Sequence, residues 1–161
     1  MTTNIGLEKG VTKASKAVLD NLLSDHVALM VKMWNYHWNV KGPNFHSYHE
    51  FIEELYTEVT SDIDEIAERI RSIDERPVGS MKGFLAHNRI KEQAEDKELP
   101  DAITMLSNLN ADIETMIREI RKDIETLENE KSNDAGTLSF LDGMLEKKEK
   151  TAWMLRSFIS K

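Results

Sequence analysis

The positions of three prolines divide this chain into long segments, and this constrains the fold more than any other feature. Pro43, Pro77 and Pro100 each lie between stretches whose apolar residues recur at helical spacing. Proline inside a helix costs about 3 kcal/mol, so each one marks a boundary. The sequence Asn-Asp-Ala-Gly at 133–136 makes a further break. Because no stretch alternates as a strand does, the pattern predicts four amphipathic helices and an all-α protein.

The lengths of the connections suggest how these helices are arranged. Helices of roughly 25 to 32 residues are about 40 Å long and pack most simply as a four-helix bundle. Between the second and third helices lies a connection of about 24 residues, 76–99, which lets those two helices run in the same direction. Within it, residues 80–89 are expected to form a short helix capped by Ser80, and the acidic residues 92–98 a solvated loop.

Composition narrows the classes of function. The 161 residues are expected to form one domain, 1–161, with a short N-terminal tail at 1–10. The absence of Cys excludes disulfides and thiolate sites, so any metal must be held by His and carboxylates. A formal charge of −8 favours cations over nucleic acid as partners. No apolar run suits a membrane, and the first residues lack a signal-peptide pattern, so a cytoplasmic location is expected.

Residues with metal-ligand chemistry concentrate around the first break. The stretch 34–49 holds two of the three Trp and three of the five His. The second helix then carries His49, Glu53, Asp64 and Glu68. His26, His46 and His87 have no carboxylate partner that the sequence alone can place.

Helix geometry limits how the second helix can hold an ion. At 100° per residue, Glu53, Asp64 and Glu68 lie about 40°, 60° and 100° round from His49, facing away from the apolar stripe near 265°. His49 and Asp64 are about 22 Å apart along the axis, whereas bonds to iron or zinc are about 2 Å long. The two residues can share an ion only if the helix lies antiparallel to its copy in an isologous dimer. Solvated surface carboxylates and a packed histidine are the alternative interpretation of the same residues.

The combined pattern resembles the Dps family of miniferritins over essentially the whole chain. The matching positions are residues 35–43 (Asn-Tyr-His-Trp-Asn-Val-Lys-Gly-Pro), Phe45, His49, Phe51, residues 54–56, Asp64, residues 67–70 and residues 149–156. The resemblance implies a ferritin-like four-helix bundle with a short helix in the long connection, assembled as a hollow homododecamer. It implies ferroxidase sites at dimer interfaces, each with His37 and His49 from one subunit and Asp64 and Glu68 from its partner. Glu53 stands where the family often has a further acidic residue, and Trp38 is the aromatic residue beside the site.

The resemblance also implies a reaction. Fe(II) would be oxidised, with hydrogen peroxide preferred over oxygen, and ferric mineral would collect in the cavity, protecting against oxidative stress. Each site would take two iron ions, or one ion and a water, with zinc as a possible substitute. Trp38 is hypothesised to intercept one-electron oxidants. Asp142, together with Asp134 and Glu146, would line a cation pore at a three-fold axis.

Two other functions fit the same shell. One is a DNA-coating or structural assembly with little oxidation, and the other is a zinc-binding or immune-type surface protein. Retention of all four ligands favours oxidation over a purely structural role. The Glu-x-x-His motif of di-iron centres inside larger ferritin bundles is absent. DNA binding is expected to be weak or absent, because Lys9, Lys13 and Lys16 form the only candidate basic cluster and Glu8 offsets it.

Overall fold

The computed structural model describes residues 3–93, 98–129 and 134–160, and these ranges contain five helices and no strand. The helices are α1 (Lys9–Asn39), α2 (Phe45–Ser72), α3 (Met81–His87), α4 (Ala102–Asn129) and α5 (Ala135–Ile159). All three prolines lie between helices, as predicted. The predicted tail, 1–10, overlaps the first residues of α1. No helix in the described ranges has both the length and the apolar character that crossing a membrane requires.

Four of these helices form a bundle, and its two apolar clusters give the direction of each helix. The first cluster joins the end of α1 and the start of α2 to the start of α4 and the end of α5, through Tyr36, Phe51, Met105 and Leu155. The second joins the opposite ends, through Val18, Ile70, Leu127 and Leu141. Therefore α2 and α4 run in the same direction and α1 and α5 in the other, which confirms the predicted ferritin-like topology.

The long connection between α2 and α4 is held to the bundle by a half-buried arginine. It contains α3, whose cap is Ser80 as predicted, with the hydroxyl accepting from the backbone N–H of Gly83 at 3.1 Å. After α3, Arg89 donates through Nε to Asp25 of α1 at 2.8 Å and through Nη1 to Asp123 of α4 at 3.1 Å. These charge-assisted bonds fix the connection across two helices. The predicted acidic loop, 92–98, lies partly outside the described residues.

A polar layer separates the two apolar clusters in the middle of the bundle. Asp62 of α2 is fully buried, and its carboxylate contacts the ammonium of Lys148 of α5 at 2.5 Å and that of Lys147. The ring Nε2 of His26 on α1, also fully buried, lies 3.7 Å from the same carboxylate. The bundle interior therefore holds an ion pair with a histidine beside it.

Burial and charge set the protonation of this polar layer. Burial alone would raise the pKa of Asp62, but its contacts with His26, Lys148 and Lys147 outweigh that effect and hold the pKa well below its usual range. Burial lowers the pKa of His26, and the charge of Lys148 lowers it further. The layer therefore contains a carboxylate, two ammonium groups and a neutral imidazole at neutral pH.

Candidate metal centre

The turn between α1 and α2 brings two histidines together. Helix α1 ends at Asn39, and α2 begins at Phe45 after a turn through Gly42 and Pro43. The φ angle of Gly42 is 132°, a left-handed conformation that a residue with a side chain adopts only under strain. This tight reversal places the last turn of α1, with His37, beside the second turn of α2, with His49.

His37 and His49 hold each other in place through their backbones. Nδ1 of His37 contacts the carbonyl oxygen of His49 at 3.0 Å, and Nδ1 of His49 contacts the carbonyl oxygen of His37 at 2.9 Å. The rings stack with centroids 3.7 Å apart and planes 20° apart. Because a carbonyl can only accept, each Nδ1 carries a proton, and Nε2 is the ring nitrogen left for a metal. That is the tautomer that binds a metal through Nε2.

Glu53 completes a group of three potential ligands. One ligand atom each from His37, His49 and Glu53 lie within 4.8 Å of one another. His37 is buried and His49 half-buried, whereas Glu53 is exposed, so the group opens to the surface. The negative end of the α1 dipole lies at the same place and favours a cation. Two imidazoles and a carboxylate suit Fe(II) or Zn(II), and they leave coordination positions open.

Aromatic side chains surround the two imidazoles. Phe45 packs against His49 with centroids 4.9 Å apart and planes tilted by 32°, and Tyr56 meets His37 edge-on at 5.2 Å. Partial removal from water raises the pKa of the Tyr56 phenol, and the charge of Glu53 and a hydrogen bond to it raise this pKa further. Tyr56 therefore stays protonated and donates to Glu53. Sequence analysis did not assign this role to Tyr56, although it lies three residues after Glu53, on the same helix face.

Trp38, the predicted aromatic residue beside the site, is 70% exposed at the end of α1. Its ring stacks on that of Trp34, with centroids 6.2 Å apart and planes 17° apart. Sequence analysis did not pair these two residues, although an i,i+4 spacing on a helix indicates such contact. Trp38 directly follows His37 in α1, and its exposed ring is accessible to small oxidants.

Asp64 and Glu68 lie further along α2, and both are exposed. This position agrees with the expectation that the carboxylate stripe faces away from the apolar core. They are not part of the three-ligand group, because α2 carries Asp64 about 22 Å from His49 along its axis. Their binding to an ion held by a second subunit stays a prediction.

The three residues predicted to line a pore occupy different environments. Asp142 and Glu146 are exposed on α5. Asp134 is buried and caps α5 by accepting from the backbone N–H of Thr137 at 3.0 Å, and Arg69 donates to it at 2.6 Å. Ser15 also donates to Asp134, at 2.8 Å. The Asp134 carboxylate is therefore engaged within the subunit, whereas Asp142 and Glu146 stay candidates for a pore.

Comparison with known proteins agrees with this fold. Residues 16–161 match the ferritin-like domain family, so the chain is a ferritin-like protein. DNA protection during starvation protein 2 of Bacillus anthracis is 42% identical over 143 residues, which are 89% of this chain and 94% of the relative. An uncharacterized low temperature-induced protein of Nostoc sp. is 43% identical over 156 residues, 97% of this chain and 86% of the relative.

A solved structure gives the same result. The crystal structure of a Dps protein from Vibrio cholerae O1 covers 99% of this chain and 98% of its own, with a TM-score of 0.88 and 29% identity. The chain belongs to the Dps family of miniferritins. Membership of this family supports a general role in iron storage and oxidative protection, and it supports iron as the metal.

Proposed function

We propose that this protein oxidises Fe(II), preferentially with hydrogen peroxide, at sites shared by two subunits of a hollow homododecamer that stores the ferric product. The observation that carries the proposal is the group of His37, His49 and Glu53, in which both imidazoles bond through Nδ1 to the backbone and leave Nε2 for a metal. Three ligands alone make an incomplete site. Asp64 and Glu68 of the partner subunit would complete it, because they lie exposed on the same helix.

Each residue has a defined task in this proposal. The Nε2 atoms of His37 and His49 bind Fe(II), and the buried backbone contacts keep both rings in position as charge develops. Glu53 adds negative charge, and Tyr56 orients its carboxylate. Two Fe(II) ions give two electrons to one peroxide, which takes up two protons and leaves as two waters. Paired transfer limits release of hydroxyl radical, and Trp38 would donate an electron to a stray one-electron oxidant.

The polar layer supports a surface site over one in the bundle interior. Larger ferritins carry a Glu-x-x-His di-iron centre inside the bundle, whereas the interior of this bundle holds Lys148 paired with Asp62. A second cation would meet a buried ammonium there, so the interior is a poor place for iron. The cytoplasmic location inferred from the sequence is part of the same proposal.

Ferrous titration tests the proposal. Fe(II) added anaerobically to the assembled protein, followed by peroxide or by air, is monitored by ultraviolet absorbance of the ferric product. We expect peroxide to give faster oxidation than air at equal Fe(II), and the ferric product to stay in solution with the shell. Equal rates would contradict the peroxide preference. No oxidation above that of free Fe(II) would instead favour the structural or DNA-coating alternative.

A further inference from the structure

The first two turns of α2 carry two His–Glu pairs with the same spacing. His49 and Glu53 belong to the metal centre described above. His46 and Glu50, three residues earlier, form the other pair, and Nε2 of His46 lies 3.3 Å from Oε1 of Glu50. The sequence shows the repeat as His-x-x-His-Glu-x-x-Glu at 46–53. Nothing in the proposed oxidation uses the outer pair.

Helix geometry places both pairs on one strip of surface. At 100° per residue the four side chains fall within an arc of about 100°, and the outer pair precedes the inner one by about 4.5 Å along the axis. Residues three apart on a helix are neighbours, so Glu50 is next to Glu53. A cation held by the outer pair therefore has a carboxylate of the metal centre within one helical turn.

The two pairs differ in exposure, and this suggests different roles. In the single subunit the His46 side chain is 81% exposed and that of Glu50 57%, whereas His37 and His49 are held against the backbone. An ion at the outer pair keeps most of its water and exchanges quickly. The negative charge of the chain attracts cations to this surface, but the positive end of the α2 dipole opposes them in its first turn. Both the low ligand number and the dipole favour weak, transient binding.

We propose that His46 and Glu50 form an accessory site for first-row divalent cations, which collects hydrated Fe(II) and delivers it through Glu50 and Glu53 to the metal centre. One imidazole nitrogen and one carboxylate oxygen are ligands that Fe(II), Co(II) and Zn(II) all accept. The delivery role rests on the proposed ferroxidase function, whereas cation binding at the pair does not. The competing explanation is an i,i+4 contact that only supports the helix.

Cobalt binding tests the site without any oxidation. Co(II) is titrated calorimetrically into the assembled wild-type protein and into His46→Ala, Glu50→Gln and His49→Ala. His87→Ala is the matched control, since His87 is an exposed histidine outside the pair. We expect a weak class of about one ion per subunit that disappears in His46→Ala and Glu50→Gln and persists in His87→Ala and His49→Ala. Circular dichroism checks that helix content is unchanged.

Steady-state oxidation tests delivery. In His46→Ala and Glu50→Gln we expect the KM for Fe(II) to rise about threefold or more with kcat unchanged. The substitutions remove a contribution to Fe(II) binding and leave the metal centre, where oxidation occurs, unchanged. A cobalt stoichiometry that is unchanged in His46→Ala would overturn the site. If the variants lose the weak cobalt-binding class but keep the wild-type KM for Fe(II), the pair binds cations without delivering Fe(II) to the metal centre, and the delivery role would be wrong. Failure of the proposed function is seen separately, as a wild-type protein that binds cobalt but does not oxidise Fe(II).

Discussion

His37 and His49 each donate a hydrogen bond from ring Nδ1 to the backbone carbonyl of the other residue, at 3.0 and 2.9 Å. The contact joins the last turn of α1 to the second turn of α2 and leaves both Nε2 atoms free for a metal. It also satisfies the carbonyl of His37, one of the four at the end of α1 that lack a partner within the helix. The same two side chains thus fix the helix junction and present the ligands.

Complementation between two inactive variants tests whether the site is shared. The subunit with His37→Ala and His49→Ala is co-assembled in equal amounts with the subunit with Asp64→Ala and Glu68→Ala. Each mixed dimer keeps one intact site of two, so random mixing should restore about a quarter of the wild-type sites. Peroxide-dependent oxidation by the mixed shells measures this, with mass spectrometry to verify mixing. If fully mixed shells were as inactive as both parents, the shared geometry would be wrong.

Asp64→Asn should slow peroxide-dependent Fe(II) oxidation at least about tenfold, because it removes a charged ligand from an otherwise intact site. Helix content and the unfolding midpoint should stay close to wild type, since Asp64 is exposed. The matched control is Glu65→Gln, the neighbouring exposed carboxylate, which should keep the wild-type rate. A wild-type rate in Asp64→Asn would make this carboxylate an ordinary surface charge.

Asp62→Ala should destabilise the fold by about 3 to 5 kcal/mol, because it leaves the buried ammonium of Lys148 without its partner. Lys147→Met should cost much less, since Lys147 is one-third exposed and Asp62 keeps Lys148 as its buried partner. Chemical denaturation of both variants measures the difference. In the double variant Asp62→Leu/Lys148→Met, which replaces the whole pair, most of the stability should return. Equal stability of Asp62→Ala and wild type would show that the pair contributes nothing.

The fold should lose stability as the pH falls below about 6.5, because burial holds the pKa of His26 below its ordinary value of 6.5. The unfolded chain then binds a proton at His26 that the folded chain does not bind, so acid favours unfolding. The slope from this group approaches about 1.4 kcal/mol per pH unit. Between about pH 7.5 and 5.5, the free energy of unfolding measured by denaturation should change less with pH in His26→Leu than in wild type. Parallel profiles would contradict the prediction.

DNA binding should be weak or absent at about 150 mM salt, where charges are screened beyond about 8 Å. Lys9, Lys13 and Lys16, the candidate basic cluster, all lie within α1 and therefore cannot act as a free arm. Lys16 also pairs with Asp20. An assembly of chains that each carry −8 would repel phosphate. A gel-shift assay with chelator present measures this, and tight chelator-resistant complexes would support the DNA-coating role instead.

The helices and their order follow from the sequence because the relevant physics is local. Proline and glycine end helices wherever they stand, and apolar spacing identifies the buried face. The parallel direction of α2 and α4 could be predicted from the length of the connection between them alone. Arg89 could not be predicted in the same way, because its partners Asp25 and Asp123 are 64 and 34 residues away and no local pattern joins them.

The candidate site was predictable in part. The ligand residues came from their spacing and from a family pattern, and α2 places Glu53, Asp64 and Glu68 on the exposed face as expected. The reciprocal contact of His37 and His49 depends on the path of the turn through Gly42, which spacing does not give. His26 had no partner that sequence analysis could place, because Asp62 reaches it only across the bundle. His46 does have a partner, Glu50, which sequence analysis missed although the i,i+4 spacing on a helix indicates such a contact.

The polar layer also fixes the axial register of the helices. Leu and Ile cores tolerate sliding, since one apolar layer can replace the next, but moving α2 by one turn shifts Asp62 about 5.4 Å from Lys148. Only one alignment of α1, α2 and α5 therefore leaves no buried charge unpaired. That alignment also sets where the His49 and Asp64 segments of α2 lie relative to the rest of the subunit. The buried ion pair therefore helps to fix the surface positions of the α2 residues that two subunits would bring together.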